Sequence, residues 1–559
     1  MDHDSWPMNA QAASTGSCTI VNHRSDQAKS TQSKRFRCKA SHGLVAFKPE
    51  SPPKRHQNLI KAQPPFCQGC WSSSGIMSRF DSLPDEVLKL VMQHVPVQDR
   101  LTSCCLVNSR LHAAAVAATQ ELQLCIGGIA HPLGRIPHQH EHCVLDWLSS
   151  YGQHLTSLNM GSLSQPLQQL PCPDLLELKL SNCNVLLGPA ADGQSGVLPG
   201  CTKLTKLDLY CKFADTPGGV LGGLSSLEHL QHLHLWPNGS WPCTPSSAAL
   251  PCLKHLTYLD TYCSWMSDEN ICQLSTLTNL QEARLDFAIV DFPVGLAMFD
   301  DLSFPASLTK LVLSSMVEAD MVSAAPAGLK HLELLSLVDG PDEEAESLLC
   351  CLGRLQHLTA LCIEPVGGLD WPPAGPAYSA LTASSSLVSL VLRSTNIPGC
   401  AWPHVFCTPN QLLHLTSLHV DEEQEWGASS NVSAWGAAGV SSLITCCPNL
   451  CEVEFTLQPG LHISELHKLT ALTCVEVRFS SGIAPAFQQS LKGLAAVTQL
   501  QELSAYPDNP DLQVSSLLPL TSLTALTGLR CHIFGGWLVN LRSACTKVSQ
   551  QAQQGKGTR

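Results

Sequence analysis

From residue 151 to residue 545 the chain repeats one arrangement of apolar positions, Leu-x-x-Leu-x-Leu or a close variant. The motif can be started at Leu155, Leu175, Leu204, Leu230, Leu256, Leu280, Leu308, Leu332, Leu358, Leu387, Leu415, Leu450, Leu472, Leu500 and Leu523, with a mean spacing near 26 residues. Leu175-Leu176-Glu177-Leu178-Lys179-Leu180 and Leu230-Gln231-His232-Leu233-His234-Leu235 are good copies. Those around Thr261, Ala283 and Gly528 are degenerate, and an insertion follows the Leu415 copy. The second and third leucines lie two apart, so both point to one side of a short strand, while the first fills the turn before it. Burying a leucine stabilises by about 1.5–3 kcal/mol, but one unit cannot enclose its own leucines, so neighbours must stack. The pattern therefore predicts an α/β solenoid with one parallel strand per repeat lining a concave face. Segments such as residues 223–227 and 446–450 would supply the convex side.

Ahead of the repeats the period changes. Val87, Leu88, Val91 and Val95 recur at helical spacing, with Pro84, Asp85 and Glu86 suited to a first turn. Asp99 can cap a second helix carrying Leu101, Cys104 and Cys105, and a third apolar segment runs through Leu111 and residues 113–115. Residues 1–76 are rich in Ser, Gln, Lys, Arg and Pro without periodicity and are expected to be a disordered basic arm. Met77-Ser78-Arg79-Phe80 leads straight into the ordered pattern and is a second candidate for the first residue. The expected division is a 1–76 arm, a 77–122 helical domain, a 123–150 connector, a 151–545 solenoid and a 546–559 polar tail.

Leu83-Pro84-Asp85-Glu86-Val87-Leu88, Val95-Pro96, Asp99-Arg100-Leu101 and Leu106-Val107-Asn108 with Leu111 together resemble the F-box. The Leu-x-x-Leu-x-Leu array resembles the leucine-rich repeats found in F-box proteins, and its period lies within their ~20–29 residues. The resemblance implies a small three-helix F-box-like domain that docks on a Skp-family adaptor and, through it, a cullin. The chain would then be the non-catalytic substrate receptor of an SCF-type ubiquitin ligase, needing no cofactor. It implies an adaptor-facing apolar set drawn from Leu83, Pro84, Val87, Leu88, Val91, Val95 and Pro96, some of which must instead pack the domain's own core.

Concave side chains alternate with the buried leucines. Three successive repeats align Lys206, His232 and Tyr258; then Asp208, His234 and Asp260; then Tyr210, Trp236 and Tyr262. This aromatic ladder flanked by acids and histidines is the candidate target-binding patch. The other reading of it is that the rings stack on each other or cover strand edges without a ligand. Later repeats turn Val312, Val338 and Val391 outward and cluster Glu452, Glu454 and Glu476. The acidic runs 342–346 and 421–425 read as solvated loops.

Composition narrows the field. With 44% hydrophobic and 14% charged residues the chain can bury a large core, and no apolar run is long enough for a membrane helix. Its 27 cysteines, with no apolar leader at Met1-Asp2-His3-Asp4, read as reduced intracellular thiols, and the pairs Cys104-Cys105, Cys350-Cys351 and Cys446-Cys447 as core filler. Residues 1–79 carry eleven Lys and Arg against four Asp and Glu, a net +7, which leaves −20 on residues 80–559. So acidic a body argues against nucleic acid as the main ligand. Cys67 and Cys70 have metal-ligand spacing but no second close pair, and His131 with residues 138–143 reads as a connector. Phosphate loops, dinucleotide fingerprints and nucleophile elbows are missing from the sequence. A Ser/His/Asp arrangement leaves no trace in spacing, because its members need only meet in space. The expectation is a binding protein of the cytoplasm or nucleus. The alternative is a scaffold or structural protein, cytoskeletal or axonemal, in which the helical domain merely caps the first repeat.

Overall fold

The computed structural model describes residues 83–95, 100, 109–125, 141–163, 167, 170–185, 197–213, 224–237, 250–262, 271–287, 302–315, 317–337, 342–365, 375–395, 397–407, 411–421, 437–457, 463–479, 491–507, 520, 522–533 and 536–538. The expected arm, the second helix from Asp99, Pro96, Val338, Cys67, Cys70 and the 546–559 tail lie outside these residues, apart from Arg100.

Helices α1 (Asp85–Gln93) and α2 (Ser109–Ala117) enclose a small apolar core of their own. Pro84 is the N-cap of α1, its carbonyl accepting the first helical bond from Leu88 N at 3.0 Å, and Asp85 and Glu86 sit at the positive end of the helix dipole. Leu88 and Met92, four apart and thus stacked on one face, meet Leu111, Ala114, Ala115 and Ala118, with Leu83 and Val95 packed against them. So few apolar contacts need help, and two arginines provide it. Buried Arg100 donates to Val95 O (2.9 Å) and Ala118 O (2.6 Å), closing the end of α1 onto the end of α2. Arg110 pairs with Asp85 at 2.7 Å and donates to Leu83 O, fastening the Leu-Pro-Asp opening to α2.

The rest is dominated by one sheet of 17 strands. They are β1 (Glu121–Cys125), β2 (Ser157–Gly161), β3 (Glu177–Val185), β4 (Lys206–Phe213), β5 (His232–Pro237), β6 (Tyr258–Tyr262), β7 (Glu282–Asp286), β8 (Lys310–Ser314), β9 (His331–Leu337), β10 (Ala360–Pro365), β11 (Ser389–Arg393), β12 (Ser417–Asp421), β13 (Glu452–Leu457), β14 (Cys474–Phe479), β15 (Glu502–Pro507), β16 (Gly528–Ile533) and β17 (Gly536–Leu538). Each of the first fifteen pairs in parallel with the next, making sixteen parallel strands, and β17 turns back antiparallel on β16. The parallel order requires a return crossing between strands, made by short helices or turns: α3 (Glu141–Tyr151), α4 (Ala319–Ser323), α5 (Asp342–Leu352), α6 (Trp402–Val405), α7 (Ala437–Cys446) and 3-10 turns such as Leu198–Gly200. One continuous core of leucines lies between the sheet and these crossings. Trp402 and Phe406 stack within it, ring centroids 6.1 Å apart.

Register corrects two of the motif starts. Leu332 lies opposite Leu311 and Leu361, which are second leucines, so that repeat starts at Leu329 rather than Leu332. Leu529 lies opposite Leu503, so the last one starts at Leu526 rather than Leu523. Runs with extra leucines allow a three-residue slip that only strand pairing resolves. The sheet also begins before the first motif, at β1, and residues 141–150 of the expected connector are helical. The acidic run at 342–346 opens α5 rather than forming a loop.

A threonine follows the first leucine in many repeats and makes a second ladder. Thr205 Oγ1 donates to Leu176 O (3.0 Å), Thr257 to Gln231 O (3.1 Å) and Thr359 to Lys330 O (3.0 Å), with Thr156, Thr309, Thr416, Thr473 and Thr527 doing the same. Each of these threonines thus adds a bond to a carbonyl of the preceding repeat, at the mouth of the strand, that also accepts two backbone N–H groups. At the other end, Cys183 Sγ lies 3.3 Å from Ser181 O and Cys211 Sγ 3.3 Å from Leu180 O, both carbonyls within β3. Ser162, Asn182, Ser315, Ser336 and Ser394 have φ of 49–62°, and each stands seven residues after its first leucine. At Ser162, Ser315 and Ser394 the chain leaves the strand through this left-handed residue, whereas Asn182 and Ser336 sit within β3 and β9 where the pairing register shifts.

Candidate interaction surfaces

On α1 the helix period separates the adaptor-facing set in two. Leu88 is only 1% exposed and belongs to the core of the small unit, which removes it from any contact surface. Leu83 and Val95 are half-buried against that core. Val87 and Val91 are each 39% exposed and Pro84 is exposed. Leu90, which the sequence reading passed over, is 58% exposed beside them. Its spacing of three from Val87 was the available signal, obscured because Leu90 also follows the run Leu88-Lys89.

On the sheet face opposite the leucine core, the open face, the nine candidate target-binding residues fall into the predicted rows. Lys206 lies opposite His232 and His232 opposite Tyr258; Asp208 lies opposite His234 and His234 opposite Asp260; Tyr210 lies opposite Trp236. The rings of Trp236 and Tyr262 are 6.0 Å apart, those of His232 and Tyr258 5.8 Å, and His234 meets Trp236 edge-on at 6.0 Å. Tyr210 stands 43% exposed at the end of the row.

Asp260 is not the outward acid that alternation predicts: it is buried, accepting from Trp236 Nε1 and Tyr258 OH, both at 3.2 Å, with His234 Nδ1 at 3.9 Å. Burial first, then the charge of Asp260, pushes the Tyr258 phenol up to about 12. Asp208 pairs with Lys179 at 2.7 Å and has His234 at 3.6 Å. Lys179, on β3, is a member of the patch that the three-repeat alignment missed because it sits one repeat earlier.

Further along the same face, Val312 is buried to 3% rather than turned outward, flanked in register by Arg284 and Glu333. Val391 is half-buried. The glutamate cluster is knit by cations. Buried Glu454 is 2.7 Å from His419 Nδ1 and 2.7 Å from Arg478, which also pairs with Asp421 and, at 3.4 Å, with Glu476. Burial alone would push Glu454 up, but the His419 hydrogen bond and the Arg478 charge outweigh it and hold the carboxyl low. The Glu454 hydrogen bond raises His419 above the usual imidazole range. Burial and the charge of Glu454 raise Glu476.

Ser417 Oγ lies 2.7 Å from His419 Nε2, so Ser417, His419 and Glu454 are joined in the order of a nucleophile–base–acid relay. The Ser417 hydroxyl is shared with Glu452 Oε2 at 3.2 Å, and the Ser417 backbone N–H is spent on Val388 O at 3.1 Å. Acyl transfer needs N–H donors aimed at a developing oxyanion, and the ladder has used this one. These bonds join strand β12 to strand β13.

Cysteines divide by position. Cys172, Cys201, Cys446 and Cys447 are buried, and burial pushes Cys172 up to about 12 and Cys201 to about 11. Cys350 is exposed and Cys351 half-buried against the core, so of that pair only Cys351 serves as core filler. Cys104 and Cys105 lie outside the described residues. Among the described residues no three His, Cys, Asp or Glu side chains gather as metal ligands, and no helix is long and apolar enough to cross a membrane.

Comparison with known proteins places an F-box domain at residues 80–116, which span α1 and most of α2. No curated protein matches the chain.

Proposed function

We propose that this chain is a substrate receptor of an SCF-type ubiquitin ligase: residues 80–116 hold a Skp-family adaptor and through it a cullin, and leucine-rich repeats on residues 151–545 hold a target protein. The observation that carries the reading is an F-box domain whose first helix leaves Val87, Leu90 and Val91 exposed together, a row of apolar side chains that a lone surface helix has no reason to show to water. F-box domains typically bind Skp1-family adaptors. The receptor carries out no bond chemistry; it raises the effective concentration of a target's lysines beside a charged conjugating enzyme. The sixteen parallel strands, of which β2 to β16 each carry one leucine motif, support the repeat assignment. They leave one open face for the target, and the reading places the protein in the cytoplasm or nucleus.

The test is a pull-down of a Skp-family adaptor by the full chain, comparing wild type with Leu90→Asp and Val87→Asp after circular dichroism has shown both variants folded. Retention by wild type and loss in both variants is expected. Failure of folded wild type to retain the adaptor overturns the reading and leaves a repeat scaffold whose helical unit only caps the sheet.

A further inference from the structure

The open-face ends of β4 to β7 carry Tyr210, Trp236, Tyr262 and Asp286 in neighbouring positions. No Lys or Arg stands in that row. Cations on this part of the sheet stand outside the row: Lys179, Lys206 and Arg284 at earlier strand positions, Arg284 opposite Asp260, and Lys212 two residues beyond Tyr210 on β4. Beneath the rings lies Asp260, whose hydrogen-bond partners Trp236 and Tyr258 are neutral donors. Such donors satisfy lone pairs without cancelling charge, so the carboxylate's field reaches the ring faces in a setting of low dielectric. Among the described residues its ion-pair contact is with His234, at 3.9 Å. The same sign recurs further along the face, where Asp421, Glu452, Glu454, Glu476 and Glu502 on β12–β15 are set against Arg478, and residues 80–559 carry −20 overall.

Negative ring faces backed by carboxylates attract a cation, and a planar guanidinium stacks on such rings better than an ammonium does. We propose that the Tyr210–Trp236–Tyr262 row receives an arginine-bearing basic segment of the target polypeptide. This rests on the reading of the open face as the target-binding side. Tyr210, the most exposed ring, closes over the guanidinium from one end, and Asp286 marks the other.

The probe is a fluorescent peptide of alternating Gly and Arg, titrated against the full chain by anisotropy, with Lys and Glu versions alongside. Binding in the order Arg above Lys, with none for Glu, is expected. Tyr210→Ala should weaken the Arg peptide about three- to tenfold. Glu346→Gln, exposed on α5 away from this face, should leave it unchanged. Equal binding by wild type and Tyr210→Ala, equal loss in Glu346→Gln, binding of the Glu peptide, or no binding of the Arg peptide overturns the proposal. Adaptor pull-down on the same preparations separates the two readings. Adaptor retained with ring-independent peptide binding sinks this inference alone, whereas ring-dependent peptide binding without adaptor sinks the receptor reading alone.

Discussion

Ser162, Asn182, Ser315, Ser336 and Ser394 each hold a left-handed backbone seven residues after the first leucine of their repeat, where a Cβ crowds the following carbonyl. Replacing Ser315 by Gly should therefore raise the melting temperature, and replacing it by Val should destabilise by about 1–2 kcal/mol, measured on purified protein by thermal denaturation. His419 yields a pH prediction. Its pKa is raised in the folded chain, chiefly by the Glu454 hydrogen bond, so its contribution is fully present below the ordinary value near 6.5 and is lost as pH rises through the higher folded value. Glu454 is depressed, so its contribution is lost at the acid end, as pH falls through its folded value. The melting temperature of wild type minus that of His419→Gln should accordingly shrink above neutrality; a difference that stays flat there would disprove the link. Thiol chemistry follows burial: Cys350, Cys252 and Cys400 should react with a thiol reagent in the native chain, and Cys172 and Cys201 only after unfolding.

At the level of elements, strand existence and direction were legible because a period-two pair of leucines has one way to face a core. Phase was less so. At Leu329 and Leu526 surplus leucines offered two starts, and only the pairing partner on the next strand chose between them. On α1 the sequence named the right stretch but could not tell Leu88 from Leu90, since both fit an amphipathic pattern until α2 covers one of them. Long-range pairs such as Arg100 with Ala118, or His419 with Glu454 a repeat away, have no local signature. The nine-residue patch was legible as rows; what alternation could not convey is that Trp236 and Tyr258 turn inward to hold Asp260 and that Lys179 joins from the preceding strand. Leu88→Ala should destabilise the small helical unit by about 2–5 kcal/mol and abolish adaptor binding by unfolding it, in contrast to Leu90→Asp, which should abolish binding with the fold intact. Helical circular dichroism beside the pull-down distinguishes the two.

For the whole molecule, stability is a sum over repeats and the interfaces between them, so no single unfolding free energy describes it. Leu259→Ala, at a fully buried position in mid-array, should cost about 2–5 kcal/mol locally and split denaturation into more than one phase. The same change at Leu529, in the last parallel strand, should only fray the end. Hydrogen exchange resolved by peptide would map either outcome. The threonine ladder adds a mechanical consequence. Because each threonine grips the preceding repeat rather than its own, tension applied across the strands, from β1 towards β16, would load these bonds in series, one joint after another. The chain would yield stepwise like a zip fastener, and its weakest joints would be those repeats, such as the one starting at Leu329, where lysine stands in place of the threonine.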